Sequence, residues 1–228
     1  MKKFYSEICY ILGILLLGLG SSMMTKADFG MSMVVAPAYI LHLKMSEFWS
    51  FFSFGMAEYV FQAFLLILVV VTVRKFKLSY LLSFVTAVVY GFVLDANIEI
   101  MSLIGDVGIP VRVAFFACGT FLTCLGVTFM FHTYISPEVY ELFVKEVTEK
   151  FGFKLHNVKT IYDCASCLIA IIMAFCFFGF GNFKGVGWGT LICAIINGRL
   201  IGLMSKFLEK RFEFVDRFNL RKYFLLKI

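Results

Sequence analysis

The 228-residue sequence predicts an all-α polytopic membrane bundle with six transmembrane helices. Three observations carry this expectation. Hydrophobic residues make up 61% of the chain and charged residues 16%, where soluble domains run at about 45–50% and about 25%. Mean hydropathy is +0.91. Six separate segments also reach the roughly 20 apolar residues that a helix needs to cross the hydrocarbon of a bilayer. This composition excludes an ordinary soluble domain. It also excludes disorder, which needs low hydrophobicity and high net charge.

The six spans fall at about residues 4–25, 49–73, 78–103, 109–133, 160–181 and 186–208. Lys2 and Lys3 before the first run resemble a signal peptide, but the run over 8–24 is long for one and further spans follow. It reads as a retained helix. Trp49, Tyr80, Tyr134 and Trp188 lie near span ends, where amphipathic rings anchor to headgroups. Two connections are more than loops. Residues 30–44 are apolar, contain Pro37 and are too short to cross upright, which suits a re-entrant or interfacial helix. Residues 136–151 are amphipathic, with Val139, Phe143 and Val147 on one face and Glu138, Glu141, Lys145, Glu146 and Glu149 elsewhere. Ser136-Pro137-Glu138 reads as a helix start with Ser as N-cap, on a helix lying at the membrane surface.

Lys and Arg set the orientation. With the N-terminus inside, the inner pieces hold sixteen of the 21 basic residues. The outer pieces hold four, Lys26, Lys44, Arg112 and Lys184. This positive-inside asymmetry predicts both termini in the cytoplasm and supports an even number of spans. Residues 1–208 form one transmembrane domain, and 209–228 form a basic cytoplasmic tail. The net charge of +6 follows from these loops and does not indicate nucleic-acid binding.

Seven cysteines all lie in apolar stretches, and an odd buried set argues against a disulfide framework. Cys164-Ala-Ser-Cys167 matches CxxC, yet no second pair or nearby His completes a metal or redox site. Gly181-Asn-Phe-Lys-Gly185-Val-Gly187-Trp-Gly189 lacks the ending of a phosphate loop and joins two membrane spans. A tight hairpin is the better reading. No cofactor, metal or hydrolytic triad is indicated, so an enzyme is not expected.

Leu19-Gly20-Ser-Ser-Met-Met24 resembles Leu125-Gly126-Val-Thr-Phe-Met130 at an offset of 106, which also places Gly30 opposite Ser136. Chance similarity between apolar helices is the alternative. If real, the repeat divides the chain into halves 1–105 and 106–208, each of three spans. The second half then enters the membrane from the other side, as in the inverted repeats of secondary transporters.

Three local patterns resemble the YczE/YyaS/YitT family of bacterial integral membrane proteins. The first is Gly18-Leu-Gly20 followed by Lys26-Ala27-Asp28-Phe29-Gly30-Met31-Ser32, with Met33 where that family often has proline. The second is Gly91-Phe-Val-Leu-Asp95. The third is Gly185-Val-Gly187-Trp-Gly189-Thr190, then Ala194 and Gly198. The resemblance runs through most of the chain in span order and implies a multi-pass plasma-membrane protein, without a substrate.

Ionisable groups at mid-membrane are costly and usually face protein, a cavity or a partner. Glu58 and Gln62 lie one turn apart on the second span; Asp95, Asn97 and Glu99 occupy the third; Asn197 and Arg199 occupy the last. One reading is a polar cavity between the halves, in which Arg199 neutralises Glu58 or Asp95 and the other carboxylate binds a cation or proton. The other is a structural ion pair that binds nothing. Lys26, Asp28, Gly30 and Ser32 end the first span, where an unwound turn could bind an ion. Asp163 reads as a carboxylate suited to the first turns of the fifth span. The expected function is a small secondary transporter for a small polar or charged solute or ion. The alternatives are a substrate-capturing membrane subunit of a larger importer, or a non-transporting scaffold or regulator. The partners expected are the lipid bilayer and the solute, with a homo-oligomer or partner subunit left open.

Overall fold

The computed structural model describes residues 2–179 and 185–218. Apolar runs without internal breaks form the long helices α1 (Ser6–Ala27), α3 (Phe54–Val73), α4 (Leu78–Ser102), α5 (Ile109–Phe131), α7 (Leu155–Phe178) and α8 (Trp188–Arg211). All six are long and apolar enough to cross a membrane, and the chain is a multi-pass membrane protein. Two short helices, α2 (Ala36–Met45) and α6 (Val139–Phe151), separate α1 from α3 and α5 from α7. The element order long–short–long–long therefore occurs twice.

The helix ends follow local chemistry. Asp28 closes α1 and Arg74 closes α3, each with a left-handed backbone. Gly152 does the same for α6. Pro37 and Pro110 sit in the first turns of α2 and α5, where no intrahelical N–H is lost.

At the centre, α1 and α5 cross antiparallel through reciprocal glycines. A Cβ on Gly20 would lie 2.7 Å from the Gly119 carbonyl oxygen, and one on Gly119 would lie 2.7 Å from that of Gly20. Gly13 and Gly126 face each other in the same way, 3.2 and 2.9 Å from the opposing carbonyl oxygens. Met130 fills the space beside Gly13, as Met24 does beside Gly119. Gly13 with Gly119, and Gly20 with Gly126, stand at the same 106-residue offset. The crossing is thus nearly two-fold symmetric. Close backbone approach of this kind drives helix association in lipid, where apolar burial gives no preference for protein over lipid. Half of the α1 apolar window is buried, against 22% of that of α8, which lies at the periphery.

The remaining packing follows the same symmetry. The pair α1–α4 corresponds to α5–α8, α3–α4 to α7–α8, and α3–α6 to α7–α2. Each short helix therefore packs on the long helix of the other half. Lys77 reaches α6 through Glu146 at 2.7 Å, and Lys150 donates to the Thr72 carbonyl at 2.6 Å.

Two expectations are corrected. Residues 136–151 do not lie flat at the surface. The helix begins at Val139, with Glu138 rather than Ser136 as N-cap, and residues 136–142 are buried. Glu138, Glu141 and Glu146, assigned to a wet face, point inward to polar partners or into a polar cavity. The tail is also partly built in. Helix α8 continues to Arg211, and β2 (Phe212–Val215) pairs parallel with β1 (Lys2–Tyr5). Ser6 Oγ then donates to Asp216 at 3.1 Å. The tail residues 219–228 and positions 181–184 of the predicted glycine hairpin lie outside the described residues.

Candidate functional site

Helix α2 has ten residues and α6 thirteen, so at 1.5 Å per residue they are about 15 and 20 Å long. Neither covers the roughly 30 Å of a hydrocarbon core. Both begin in the middle of the bundle. Their starts line one cavity together with mid-helix residues: Leu17 and Ser21 of α1, Tyr90 of α4, Thr123 and Val127 of α5, Asn197 of α8. From there they diverge. The end of α2 lies beside the start of α3, where His42 Nδ1 bonds the Phe52 carbonyl at 2.9 Å. The end of α6 reaches the other end of α3, at Thr72. Two half-length helices thus enter from opposite sides and bring their N-termini together.

The cavity measures about 40 Å³, enough for two or three waters or one small ion by the roughly 10–15 Å³ that a single water needs. Its polar wall is Ser32 at the α2 start, Glu138 and Glu141 of α6, Lys159 of α7 and Asn197 of α8. Lys159 pairs with Asp163 at 3.0 Å, one helical turn away. Asn197 is 5% exposed, and its Oδ1 has no hydrogen-bond partner.

A buried network fixes the α6 start to α3. The Val139 N–H donates to Gln62 Oε1 at 3.1 Å, which settles the amide orientation, since only the carbonyl oxygen accepts. Gln62 Nε2 then donates to Glu138 Oε2 at 3.0 Å and to Glu58 Oε2 at 3.3 Å. The Tyr140 hydroxyl donates to the same Glu58 oxygen at 2.7 Å, while Glu58 Oε1 has no partner.

The residues singled out from sequence divide into those at this centre and those away from it. Glu58, Gln62, Asn197 and Ser32 are brought to the centre or its supporting network. Asp95, Arg199 and Glu58 do not share a chamber, which corrects the expected cavity chemistry. Asp95 serves the α3 N-terminus: its Oδ1 accepts from the Gly55 N–H at 2.8 Å and its Oδ2 from the Ser53 hydroxyl at 2.7 Å. A carboxylate is favoured there by the orphan N–H groups and the helix dipole. Arg199 is exposed on the outer face of α8, between exposed Ile195, Ile196 and Leu203. Asn97 donates back to the Val93 carbonyl at 2.7 Å on its own helix. Lys26 donates to the Ile104 carbonyl, and exposed Asp28 pairs with Arg112 at 3.1 Å. Gly30 (φ 102°) abuts Gly187 and Thr190, where a Cβ would clash at 2.5 Å. Asp163 is not in the first turn of its helix; it is the ninth residue of α7 and the partner of Lys159.

Glu138, Glu141 and Lys159 were missed as site residues because each reads as part of a wetted segment. The repeat held the signal. At an offset of 106, Ser32 stands opposite Glu138.

A family model described as a family of unknown function (DUF6198) matches residues 4–206, and the chain belongs to that family. No curated protein and no solved structure matches the chain.

Proposed function

We propose that this DUF6198 protein is a secondary transporter that carries a small polar or charged solute through the central cavity. The observation behind this reading is the convergence of two half-membrane helices, one from each inverted half, on a polar pocket at mid-depth. Discontinuous helices at a repeat interface are the usual setting of transporter binding sites. Rocking one half against the other about the α1–α5 crossing would open the pocket to each side in turn. The basic asymmetry of the loops supports a cytoplasmic side for the termini and for the open end of α6. The resemblance to the YczE/YyaS/YitT proteins supports a bacterial plasma membrane as the setting.

Reconstitution in liposomes tests this with a pooled-metabolite uptake screen. Saturable uptake of at least one solute is expected, reduced by Glu138→Gln or Asn197→Ala in variants that remain folded. No uptake of any solute in either direction would reject it.

Arg199 favours a second reading, a solute-capturing subunit of a larger importer. A charge exposed at the middle of a span costs at least about 2.5–3.5 kcal/mol on insertion scales, and a partner helix bearing a carboxylate would remove that cost. Under this reading the chain would fail to transport alone and would co-purify with an ATPase through the α8 face.

A further inference from the structure

The charges around the cavity do not balance. Four carboxyls, Glu58 of α3, Glu138 and Glu141 of α6 and Asp163 of α7, are buried with one ammonium, Lys159. Each of the five is at most 4% exposed. Lys159 pairs with Asp163, which leaves three acids without a basic partner. The two helix N-termini supply roughly half a positive charge each, which offsets about one of them. Charges buried in this way must be neutralised by protons or by a bound cation. The groups facing the acids from the other elements are uncharged: Ser21 of α1, Ser32 at the α2 start, Tyr90 of α4, Thr123 and Cys124 of α5, Tyr162 of α7 and Asn197 of α8.

The wall is also rich in acceptors. Asn197 Oδ1 is buried at the cavity without a donor. The two carboxylates and the Ser32 hydroxyl add further acceptor oxygens. Acceptors of this kind suit a cation that donates hydrogen bonds.

We propose that the cavity binds a small nitrogen cation, ammonium or a short protonated amine, in exchange for a proton held by Glu138 and Glu141. The proposal rests on the transport reading and names its substrate class. In the empty site the O–H bond of one carboxyl is intact. When the cation enters, that bond breaks, the proton leaves to water, and the carboxylate accepts an N–H of the cation. Asn197 Oδ1 accepts a second N–H. Net charge in the cavity is unchanged.

The test uses the purified chain in weakly buffered detergent, with a pH-sensitive dye. Ammonium, methylammonium and guanidinium chlorides are titrated in, with sodium and potassium chlorides as controls. The expected result is saturable release approaching one proton per chain with a nitrogen cation, and none with sodium or potassium. Glu138→Gln should abolish release. Asn197→Ala keeps every carboxyl and should raise the half-saturating concentration by roughly ten-fold, the loss of one hydrogen bond to a charged group. Thermal melting shows that each variant is folded. No saturable release with any nitrogen cation overturns the proposal, as does equal release with sodium or potassium. Liposome uptake separates this from the transport reading. Uptake of some other solute without cation-linked proton release rejects the cation and leaves transport standing. Proton release without methylammonium flux leaves the site standing and rejects transport.

Discussion

The Val139 N–H donates to Gln62 Oε1 at 3.1 Å, so a side chain of one half caps the half-length helix of the other. This bond orients the Gln62 amide, and the amide in turn bridges Glu138 and Glu58. Replacing Gln62 by Leu would leave a buried backbone donor and two neighbouring acids without their bridge. Loss of one such buried partner costs about 1–3 kcal/mol. A clear fall in melting temperature is expected. Gln62→Glu keeps an acceptor for Val139 but adds a fourth unpaired acid, so its defect should be larger at alkaline than at acidic pH.

The reciprocal glycines predict a sharp steric asymmetry. A Cβ on Gly119 would meet the Gly20 backbone oxygen at 2.7 Å, whereas one on Gly105 meets nothing within 4 Å. Gly119→Val should force α1 and α5 apart and cost at least about 1–3 kcal/mol. Size-exclusion profiles and thermal melts should show aggregation or early unfolding. Gly105→Ala should behave as the unmodified chain.

Stability should fall as pH rises. Glu138 and Glu141 are buried, and Lys159, the buried ammonium beside them, is paired with Asp163. Ionising them in the folded chain is therefore costly. Melting temperature measured from pH 5 to 9 checks the sign. Glu138→Gln should flatten the alkaline decline.

Asp95 should matter for stability and little for the cavity. Asp95→Ala removes both acceptors at the α3 start and should cost about 1–3 kcal/mol. Solute binding, measured where the protein remains folded, should be nearly unchanged. A large loss of binding with unaltered stability would return Asp95 to the site.

Arg199 makes the opposite prediction for the isolated chain. Arg199→Leu removes an exposed charge from an apolar face, so purified protein should be as stable as before or more so. If α8 meets a partner, co-purification should weaken.

Much of the fold was legible in sequence because span length is a one-dimensional property. The six long helices lie where the apolar runs lie, and residues 30–44 stand out as too short to cross. Element α6 was misread because amphipathicity reports that a helix has two environments, not which one is wet. Glu138, Glu141 and Glu146 are buried at Gln62, Lys77 and the cavity, and only Glu149 is exposed. Lys159 directly precedes the predicted fifth span and so falls among the sixteen inner basic residues, whereas α7 begins at Leu155 and carries it into the bundle.

Hydropathy and charge placement by themselves determined that this chain crosses a membrane six times, with basic residues concentrated on one side. The rotation of each helix was decided only by tertiary structure. In lipid, residues facing the bilayer and residues facing protein are both apolar, so no periodic contrast marks the inner face. The approach of Gly20 to Gly119 set that rotation in α1 and α5. Packing likewise turned Glu58 inward, turned Arg199 outward and placed Asp95 at a helix end.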